Sequence, residues 1–412
     1  MAMTSRKQQD RLFMARALAL AVRSGRAVRP NPRVGAVLAR NGRVIAAAYH
    51  SRFGGPHAEV KALQKAGPAA RGATLYVTLE PCSSYGKTAP CTDVVIGAGV
   101  SRVVIGCRDR NPANADKAPA IFRKAGIRVT VGVLEKECSE LNRDFFTWVV
   151  RGKPYTVLKL ALSLDGKIAT RTGQSRWIGS AGSRRCAHFL RSRSDAVLVG
   201  ITTVLADNPR LTVRMGYRNP GLKRVVLDSR GRIPLSSRLV RRRDPGNTIL
   251  AATSRAPAAR LRKLARRGVS LLQLPVRSGR VDLKSLFRQL AGAGVMRLLV
   301  EGGGETAASV LEAGLVDEVH LFIAPVIVGG RSAVPAVGGR GVKSIKDAFR
   351  LTGLVVERVG EDIHLHGFIK NRKIICPCPD KPRLKLRGGG GVDCARAKSL
   401  IRNFNNRIKS GY

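Results

Sequence analysis

The chain has 412 residues, of which 44% are hydrophobic, enough for two domains with cores of their own. Its formal net charge is +47, but the basic residues are dispersed and aromatic residues make up only 5%, so we expect no base-stacking nucleic-acid interface. No apolar run reaches the roughly 18 residues of a membrane span. Charges at Arg11 and Arg16 interrupt the first apolar stretch, so we expect neither a membrane segment nor a signal peptide.

Helices and strands alternate through the first 150 residues, beginning with apolar positions at helical spacing in residues 8–24. Asn41-Gly42 is a hairpin turn between two short strands. A helix starting at Pro56 is expected to carry His57 and Glu59 in its first turn, and another helix opens at Cys91. The remaining predicted elements are strands at 34–38, 44–49, 74–78, 103–107 and 129–133 and a helix at 118–125. This alternation predicts a layered α/β domain.

A second α/β unit is predicted from Lys153-Pro154 onward. Residues 201–203 are interpreted as a loop, and Glu301 to Thr306 as a glycine-rich loop leading into an apolar helix that ends at Gly314. Its other elements are expected as strands at 155–161, 196–200, 224–227, 248–252 and 297–300, a turn over 163–168 and a helix at 183–193.

The glycine-rich loop has two interpretations. A strand, a glycine loop and a helix N-terminus in succession can cradle a phosphate, because free N–H groups and the positive helix end face an anion. Glycine at a helix start is also common as a simple turn. The sequence of residues 301–306 does not follow the GxGxxG pattern, so taken alone it does not distinguish the two.

The last 43 residues differ from the rest of the chain. Residues 370–412 contain 12 Lys or Arg against 2 Asp or Glu and show no hydrophobic periodicity, so we expect a basic, disordered tail. Cys376 and Cys378 lie in this tail without a second pair or a histidine nearby, which argues against a metal site there. The eight cysteines form no regular secreted framework, which favours a reducing cytoplasm.

A metal-binding pattern organises the first domain. His57 and Glu59 are followed 25 residues after the histidine by Pro81-Cys82, and by a second thiol at Cys91. One imidazole and two thiolates leave one tetrahedral position of a zinc ion open, as in catalytic sites. Zinc of this kind lowers the pKa of bound water to about 7, and a His-x-Glu followed by Pro-Cys is typical of nucleobase deaminases with Glu as the proton shuttle. The alternative is a buried histidine with two core cysteines.

The chain resembles the bifunctional riboflavin-biosynthesis deaminase/reductase, the RibD family, over about residues 8–369. The wide spacing between Cys82 and Cys91, with eight residues between them, is the spacing of this family. The first-half motifs are Pro30-Asn31-Pro32 with Val34-Gly35-Ala36-Val37, His57-Ala58-Glu59-Val60, Thr78-Leu79-Glu80-Pro81-Cys82-Ser83 and Gly86-Lys87-Thr88-Ala89-Pro90-Cys91. The second-half motifs are Lys159-x-Ala161-x-Ser163-Leu164-Asp165-Gly166-Lys167-Ile168, Ser175-x-Trp177-Ile178, Thr203-Val204-Leu205-Ala206-Asp207, Leu211-Thr212-Val213-Arg214 and Glu301-Gly302-Gly303.

The resemblance implies a cytidine-deaminase-like three-layer α/β/α domain over residues 1–150 and a dihydrofolate-reductase-like α/β domain over residues 151–369. It implies that the first domain deaminates 2,5-diamino-6-(5-phosphoribosylamino)pyrimidin-4-one and that the second reduces its ribosyl group to ribityl. The implied cofactors are Zn²⁺ and NADPH, and the implied partner is the phosphorylated pyrimidine. We also expect a homo-oligomer in the cytoplasm.

The resemblance also implies a role for each motif residue. Glu59 would be the catalytic acid and base, and His57, Cys82 and Cys91 would bind zinc. The residues implied to line NADPH are Ala161, Trp177, Thr203, Asp207, Ser229, Gly303, Gly304, Glu305, Thr306, Ala307, Ala308 and Ser309. Those implied to hold substrate are Ser175, Arg191, Leu211, Arg214 and Glu301.

The chain departs from the family pattern at two positions in the first domain. Residues 109–117 lack the glycines usual after the family's Asn-Pro, and Ser84 stands where a histidine is frequent. Two other hypotheses stay open at this point, the first prompted by the net charge of +47 and the second by the altered 109–117 segment, which makes loss of the deaminase activity conceivable. One is a basic nucleic-acid base deaminase, and the other is an RNA-binding descendant in which only one activity is retained.

Overall fold

The computed structural model describes residues 5–85, 89–241 and 245–370. Contacts divide the described residues into two compact units, and the boundary along the chain falls between Arg151 and Gly152. The basic tail expected at 370–412 lies outside the described residues beyond Lys370, and so do Gly86, Lys87 and Thr88 of the second cysteine motif. No helix within the described ranges is both long and apolar enough to cross a membrane.

The first unit, as described, is built on a five-stranded sheet with the order β2-β1-β3-β4-β5. Strand β1 pairs antiparallel with β2 and β3, whereas β3, β4 and β5 run parallel. Its strands are β1 (Gly35–Arg40), β2 (Arg43–Tyr49), β3 (Thr74–Leu79), β4 (Arg102–Cys107) and β5 (Arg128–Val131). Its helices are α1 (Arg6–Val22), α2 (Ala58–Ala66), α3 (Cys91–Gly97), α4 (Ala118–Lys124), α5 (Glu135–Leu141) and α6 (Arg143–Arg151), with a 3₁₀ turn at Gly67–Ala70.

Helix α1 lies directly against the sheet. Gly35 allows this close approach, because a Cβ built there would lie 2.0 Å from the backbone oxygen of Ala17. A buried polar cluster ties the same helix to strands β3 and β4: Arg102 makes two hydrogen bonds of 2.7 Å to Asp10, and the Tyr76 hydroxyl donates to Asp10 at 3.0 Å. These contacts fix β3, the strand that leads to Cys82, and its neighbour β4.

The second unit is built on a nine-stranded sheet in the described part of the chain, with the order β11-β10-β9-β8-β14-β6-β15-β18-β17. Its strands are β6 (Tyr155–Ser163), β8 (Ala196–Gly200), β9 (Lys223–Leu227), β10 (Thr248–Ala252), β11 (Ser270–Gln273), β14 (Arg297–Val300), β15 (Glu318–Ala324), β17 (Leu351–Val359) and β18 (Asp362–Ile369). The short strands are β7 (Lys167–Ala169), β12 (Val276–Arg277), β13 (Arg280–Val281) and β16 (Val334–Pro335). The first seven strands in this spatial order, β11 through β10, β9, β8, β14 and β6 to β15, run parallel to one another. Strand β18 runs antiparallel to both of its neighbours, β15 and β17.

Helices cover both faces of this sheet, so two hydrophobic clusters form, one on each side of the alternating strand residues. The helices are α7 (Ala181–Arg193), α8 (Ile201–Asp207), α9 (Ala258–Ala265), α10 (Leu283–Gly292) and α11 (Gly304–Glu312), with 3₁₀ turns at Pro245–Asn247 and Ile345–Asp347. The expectation of two α/β units is confirmed.

Several local expectations need correction. The first helix runs from Arg6 because Ser5 forms a capping box with Gln8, and it ends at Val22 rather than residue 24. His57 is the N-cap residue of α2 and not part of its first turn. Residues 201–203, expected as a loop, begin helix α8, because strand β8 ends at Gly200 and the chain turns directly into the helix.

Candidate functional site

The first candidate site lies where helices α2 and α3 begin beside the end of strand β3. His57 caps the start of α2, Cys82 follows β3, and Cys91 is the first residue of α3. The ligand atoms of these three residues all lie within 4.8 Å of one another. His57 Nδ1 is 3.2 Å from the sulfur of Cys91 and 3.6 Å from that of Cys82. This donor set and spacing fit a zinc ion with one open position.

The two sulfurs are electrostatically unequal. The backbone N–H of Cys91 donates to the Cys82 sulfur at 3.4 Å. The hydrogen bond between the two thiols lowers the pKa of Cys82 and raises that of Cys91. A thiolate is therefore favoured at Cys82 even before a cation is added, and the thiolate is the form that binds metal.

Glu59 lies in the first turn of α2 and is almost fully buried. Burial raises the pKa of its carboxyl group to about 7. Among the described residues, its Oε2 has no hydrogen-bond partner, although such buried atoms are normally satisfied. A buried carboxyl with a pKa near neutrality and an unused oxygen beside the three ligands is suited to proton transfer.

A second group of polar residues supports this site from behind. The ring of His50 contacts the carbonyl of Pro56 at 3.1 Å and the side chain of Asn31 at 3.1 Å, which fixes the backbone just before His57. The His50 and His57 rings meet edge to face, with centroids 5.2 Å apart. Pro30-Asn31-Pro32 was noted in the sequence as a motif, but neither this contact nor a role for His50 was predicted.

The loop at 109–117 is tied down by Glu80. The Glu80 carboxylate accepts hydrogen bonds from the backbone N–H groups of Asp109, Asp116 and Ala118 at 3.1–3.3 Å. Ser84 donates to Asn114 at 2.9 Å. Side-chain acceptors therefore hold the 109–117 loop in place even though it lacks the glycines usual in the family.

The second candidate site lies at the carboxyl ends of β14, β8 and β6. Glu301 directly follows β14, and Arg191 of α7 binds it with two hydrogen bonds of 2.8 and 2.5 Å. Both side chains are buried. Burial alone would raise the pKa of Glu301, but Arg191 and Lys159 reverse this and the net shift is downward. Glu301 is therefore an ionised carboxylate in the interior of this unit.

Lys159 and His188 belong to the same site but were missed from the sequence. Burial lowers the pKa of Lys159, which senses the charges of Glu301 and Arg191. Nδ1 of His188 accepts a hydrogen bond from the backbone N–H of Arg214 at 3.1 Å. Burial lowers the pKa of His188 to about 4. Lys159 was visible as the charged residue within an otherwise apolar strand, whereas His188 sits in an ordinary helical pattern.

The glycine-rich loop meets helix α8. The backbone N–H of Gly303 donates to the hydroxyl of Thr203 at 3.2 Å. Helix α11 begins at Gly304 without a side-chain cap. A Cβ at Gly304 would lie 2.4 Å from the Pro335 oxygen, so this glycine permits a close backbone approach. An uncapped helix start beside a glycine turn fits the diphosphate of a dinucleotide.

The other predicted cofactor and substrate residues lie on several different elements of the second unit. Ser175 contacts Asp207 at 3.3 Å, and the exposed Trp177 ring is stacked by Arg184 at 4.8 Å. Ala161 lies on β6, Leu211 is buried, and the Ser229 hydroxyl accepts from the Val281 N–H at 3.1 Å.

Within α11, the predicted residues divide by exposure. Thr306, Ala307 and Ala308 are buried, so their side chains belong to the packing of the helix. Glu305 is exposed, binds Arg280 at 3.1 Å and accepts from the Gly339 N–H at 3.0 Å. Ser309 turns back to the Glu305 carbonyl.

These features match known proteins. Residues 7–107 match the cytidine and deoxycytidylate deaminase zinc-binding region, and residues 154–365 match the RibD C-terminal domain. The chain is 41% identical to the riboflavin biosynthesis protein RibD of Aquifex aeolicus over 87% of this chain and 98% of that protein. It is 40% identical to the RibD of Escherichia coli over 87% of this chain and 99% of that protein.

Solved structures agree. Acinetobacter baumannii RibD matches with a TM-score of 0.78 at 35% identity, over 89% of this chain and 100% of that one. A deaminase/reductase from Thermotoga maritima matches with a TM-score of 0.75 at 35% identity, over 89% and 100% of the two chains. Fold and sites together define a bifunctional enzyme with a zinc-dependent deaminase domain and an NADPH-dependent reductase domain. The chain belongs to the RibD family and acts in riboflavin biosynthesis.

Proposed function

We propose that this chain catalyses two consecutive steps on one substrate. The Thermotoga maritima relative is named as a diaminohydroxyphosphoribosylaminopyrimidine deaminase and 5-amino-6-(5-phosphoribosylamino)uracil reductase. By this proposal, residues 1–150 deaminate 2,5-diamino-6-(5-phosphoribosylamino)pyrimidin-4-one, and residues 151–369 reduce the ribosyl group of the product to ribityl with NADPH. Retention of both motif sets argues against an RNA-binding descendant with one activity.

One observation carries the deaminase half of the proposal. His57, Cys82 and Cys91 converge beside a buried carboxyl group, that of Glu59, whose Oε2 has no hydrogen-bond partner among the described residues. Leaving such an atom unpaired costs about 1–3 kcal/mol. Water or substrate bound in the metal-loaded site supplies a partner for Oε2 of Glu59 and so offsets this cost. We therefore assign the three residues as zinc ligands and Glu59 as the proton shuttle.

Bound zinc supplies a Lewis acid that acidifies water at the site. Glu59 takes the proton of the attacking water and delivers it to the ring nitrogen next to the amino-bearing carbon. The carboxylate then takes the second proton, from the hydroxyl group that the attacking water has become, and passes it to the amino group, so that the C–N bond breaks, ammonia leaves and the carbonyl forms. The Glu59 pKa of about 7 suits both directions of transfer, because the ionised and neutral forms are equally populated at neutral pH.

In the reductase half, NADPH supplies the hydride. We propose that the backbone of the glycine turn at 303–306 and the side chains of Thr203, Asp207 and Trp177 orient the cofactor. The uncapped start of α11 beside Thr203 supports this assignment. The proposed lining is completed by Ala161, Ser229, Glu305, Ala307, Ala308 and Ser309. Of these, Ala307 and Ala308 are buried and contribute by holding helix α11 in place.

The geometry separates the roles of the two predicted substrate arginines. The guanidinium of Arg191 already donates to both oxygens of Glu301 and to the carbonyl of Thr212 at 3.1 Å. We propose that Arg191 positions Glu301 and the turn containing Leu211. Arg214, which donates to the Thr212 hydroxyl at 2.6 Å in a more exposed position, is better placed to meet the substrate phosphate, with Ser175 nearby on the cofactor side.

We also propose a homo-oligomer and a cytoplasmic location. Leu354 and Val356 of the edge strand β17 are 53% and 60% exposed, which favours pairing with a second copy. Cys107, Cys138 and Cys186 carry free thiols, as is usual in a reducing compartment. Light scattering on the purified protein would measure the mass, and a monomer would contradict the first proposal.

A single assay tests the proposed function. Purified protein is mixed with the diamino substrate and NADPH, and both ammonia release and NADPH oxidation are followed. We expect ammonia first and oxidation second, with equal final amounts. Ammonia without oxidation would contradict the reductase assignment, and oxidation only with pre-deaminated substrate would contradict the deaminase assignment.

A further inference from the structure

Three of the six histidines lie together on two neighbouring strands, outside both sites described above. His320 lies on β15, and His364 and His366 lie on β18. His320 faces His366 directly across the antiparallel pair. Residues two apart on a strand share a face, so Glu318 joins His320, and His364 joins His366, on that side of the sheet. The imidazoles stack with ring centroids 5.1–5.2 Å apart.

This cluster has the spacing of a metal centre. The ligand atoms of Glu318, His320 and His366 all lie within 4.8 Å of one another. Within the described part of the chain, this condition is met by one other group, the His57, Cys82 and Cys91 set in the deaminase domain. The backbone positions come from paired strands in fixed register. Ligand atoms held at about 2.1 Å from a zinc ion lie about 3.4 Å apart, which is inside the 4.8 Å limit that these three atoms meet.

A second layer of residues orients these groups. His320 Nδ1 lies 2.9 Å from His364 Nε2, and His364 Nδ1 lies 3.8 Å from a Glu357 oxygen. When His320 carries its proton on Nδ1, its Nε2 presents a lone pair. A ligating histidine usually has this arrangement, with its other ring nitrogen donating to a polar partner.

The carboxylate of Glu318 is oriented in the same way. Arg297 binds Oε2 of Glu318 at 3.1 Å, while Oε1 lies 2.8 Å from His320 Nε2. The contact between Oε1 of Glu318 and Nε2 of His320 is a hydrogen bond from the imidazole N–H to the carboxylate, and a bound metal ion would take the place of that proton. Lys159 and Arg297 place two positive charges on this side of the sheet, and Glu318 and Glu357 place two negative charges there.

We propose that Glu318, His320 and His366 form a second metal site that takes a first-row divalent transition-metal ion such as Zn²⁺. Two imidazoles and one carboxylate suit zinc, nickel, cobalt and copper and disfavour magnesium and calcium. The site is independent of the proposed deaminase and reductase chemistry. Bound metal joins β15 to β18 and strengthens the attachment of the β17–β18 hairpin to the rest of the sheet.

Metal stoichiometry tests the proposal. The full-length protein is stripped of metal and dialysed against Co²⁺ or Zn²⁺, and bound metal is measured by elemental analysis. We expect one more equivalent in the wild type than in His366→Gln or Glu318→Gln. Both variants keep every cysteine, so the difference does not count metal held by thiols. The wild-type protein should also melt at a higher temperature with Zn²⁺ present, and this gain should shrink in both variants.

Two further proteins keep the result interpretable. Glu361→Gln changes an exposed carboxylate in the turn between β17 and β18, outside the cluster and its second layer, and should bind as many equivalents as the wild type. The double variant Cys82→Ser/Cys91→Ser removes both thiols of the deaminase site and should retain one equivalent of cobalt without a thiolate-to-cobalt charge-transfer band, even if a histidine variant folds poorly. Equal metal content in the wild type and both ligand variants, or no such cobalt in the double cysteine variant, would overturn the proposal.

Discussion

The two domains carry their chemistry in different ways. In the deaminase domain, the proposed ligands and acid come from the ends of three neighbouring elements and share one small buried space. In the reductase domain, the proposed residues come from six or more elements along a nine-stranded sheet, and several act through backbone or packing. The first site depends on the identity of a few atoms, whereas the second depends on the placement of many.

This difference predicts different responses to substitution. A single change at the deaminase site should remove its reaction almost completely. A single change in the reductase site should reduce the reaction by degrees, because neighbouring contacts still hold the ligand. The following variants sharpen or break this contrast, and the two reactions are assayed separately with their own substrates.

The largest effect is expected for Cys82→Ser. The thiolate favoured at Cys82 is lost, so the protein should bind one zinc equivalent fewer than the wild type and release no ammonia. Elemental analysis and ammonia detection measure the two losses. Cys107→Ser is the control, because Cys107 is a buried thiol that contacts the Thr78 carbonyl and lies outside the ligand set. Wild-type zinc content in Cys82→Ser would contradict the ligand assignment.

The next effect is expected for Glu301→Gln. The change leaves the buried Arg191 charge without its carboxylate, which typically costs about 3–5 kcal/mol of stability. Reduction should fall while deamination is retained. Glu305→Gln is the matched control, because the Glu305–Arg280 pair is exposed and such pairs contribute only about 0–1 kcal/mol. If thermal unfolding showed equal losses for the two variants, the burial argument would be wrong.

A smaller effect is expected in the glycine turn. In Gly304→Ala the new methyl group meets the Pro335 oxygen, and overpacking of this kind costs about 1–3 kcal/mol. In Gly303→Ala the nearest atom, the Thr203 hydroxyl oxygen, is 3.6 Å away, so the fold should be unaffected. The second variant should nevertheless bind NADPH about tenfold more weakly, a loss of about 1.4 kcal/mol. Unchanged NADPH affinity in Gly303→Ala would place the cofactor elsewhere.

The smallest effect is expected for Asp207→Asn. This change weakens one partly exposed hydrogen bond to Ser175, and such a bond contributes about 0.5–1.5 kcal/mol. NADPH binding should weaken less than tenfold, and deamination should be unchanged. A complete loss of reduction would mean that the reductase site also depends on a single group, and the contrast between the domains would fail.

The sequence carried clearer signals for the compact site than for the distributed one. Ligand type and spacing predicted a zinc site at His57, Cys82 and Cys91, because metal binding demands specific atoms at specific positions, and the structure brings these three side chains together. The hairpin at Asn41-Gly42 and the strand before Glu301 were also predicted, since turn chemistry and apolar runs are local signals. The prediction of fold class and family was confirmed by the comparisons.

Features set by tertiary contacts were missed. Strands β15, β17 and β18 were not predicted, because His320, His364 and Glu357 interrupt the apolar alternation that marks a strand. Nothing in the sequence indicated that Glu80 anchors the 109–117 loop, because its partners are backbone N–H groups 29–38 residues away. The burial of Lys159 likewise depends on strands on both sides of β6.

Glu59→Gln gives the most direct test of the central claim, because it changes one functional group and leaves all three ligands in place. Loss of a general acid and base slows a reaction by about 10²–10⁴-fold. The variant should therefore keep the wild-type zinc content and reduce pre-deaminated substrate normally, while ammonia release falls by that factor. Ammonia release at the wild-type rate with zinc retained would contradict the role of Glu59 and with it the proposed deamination mechanism.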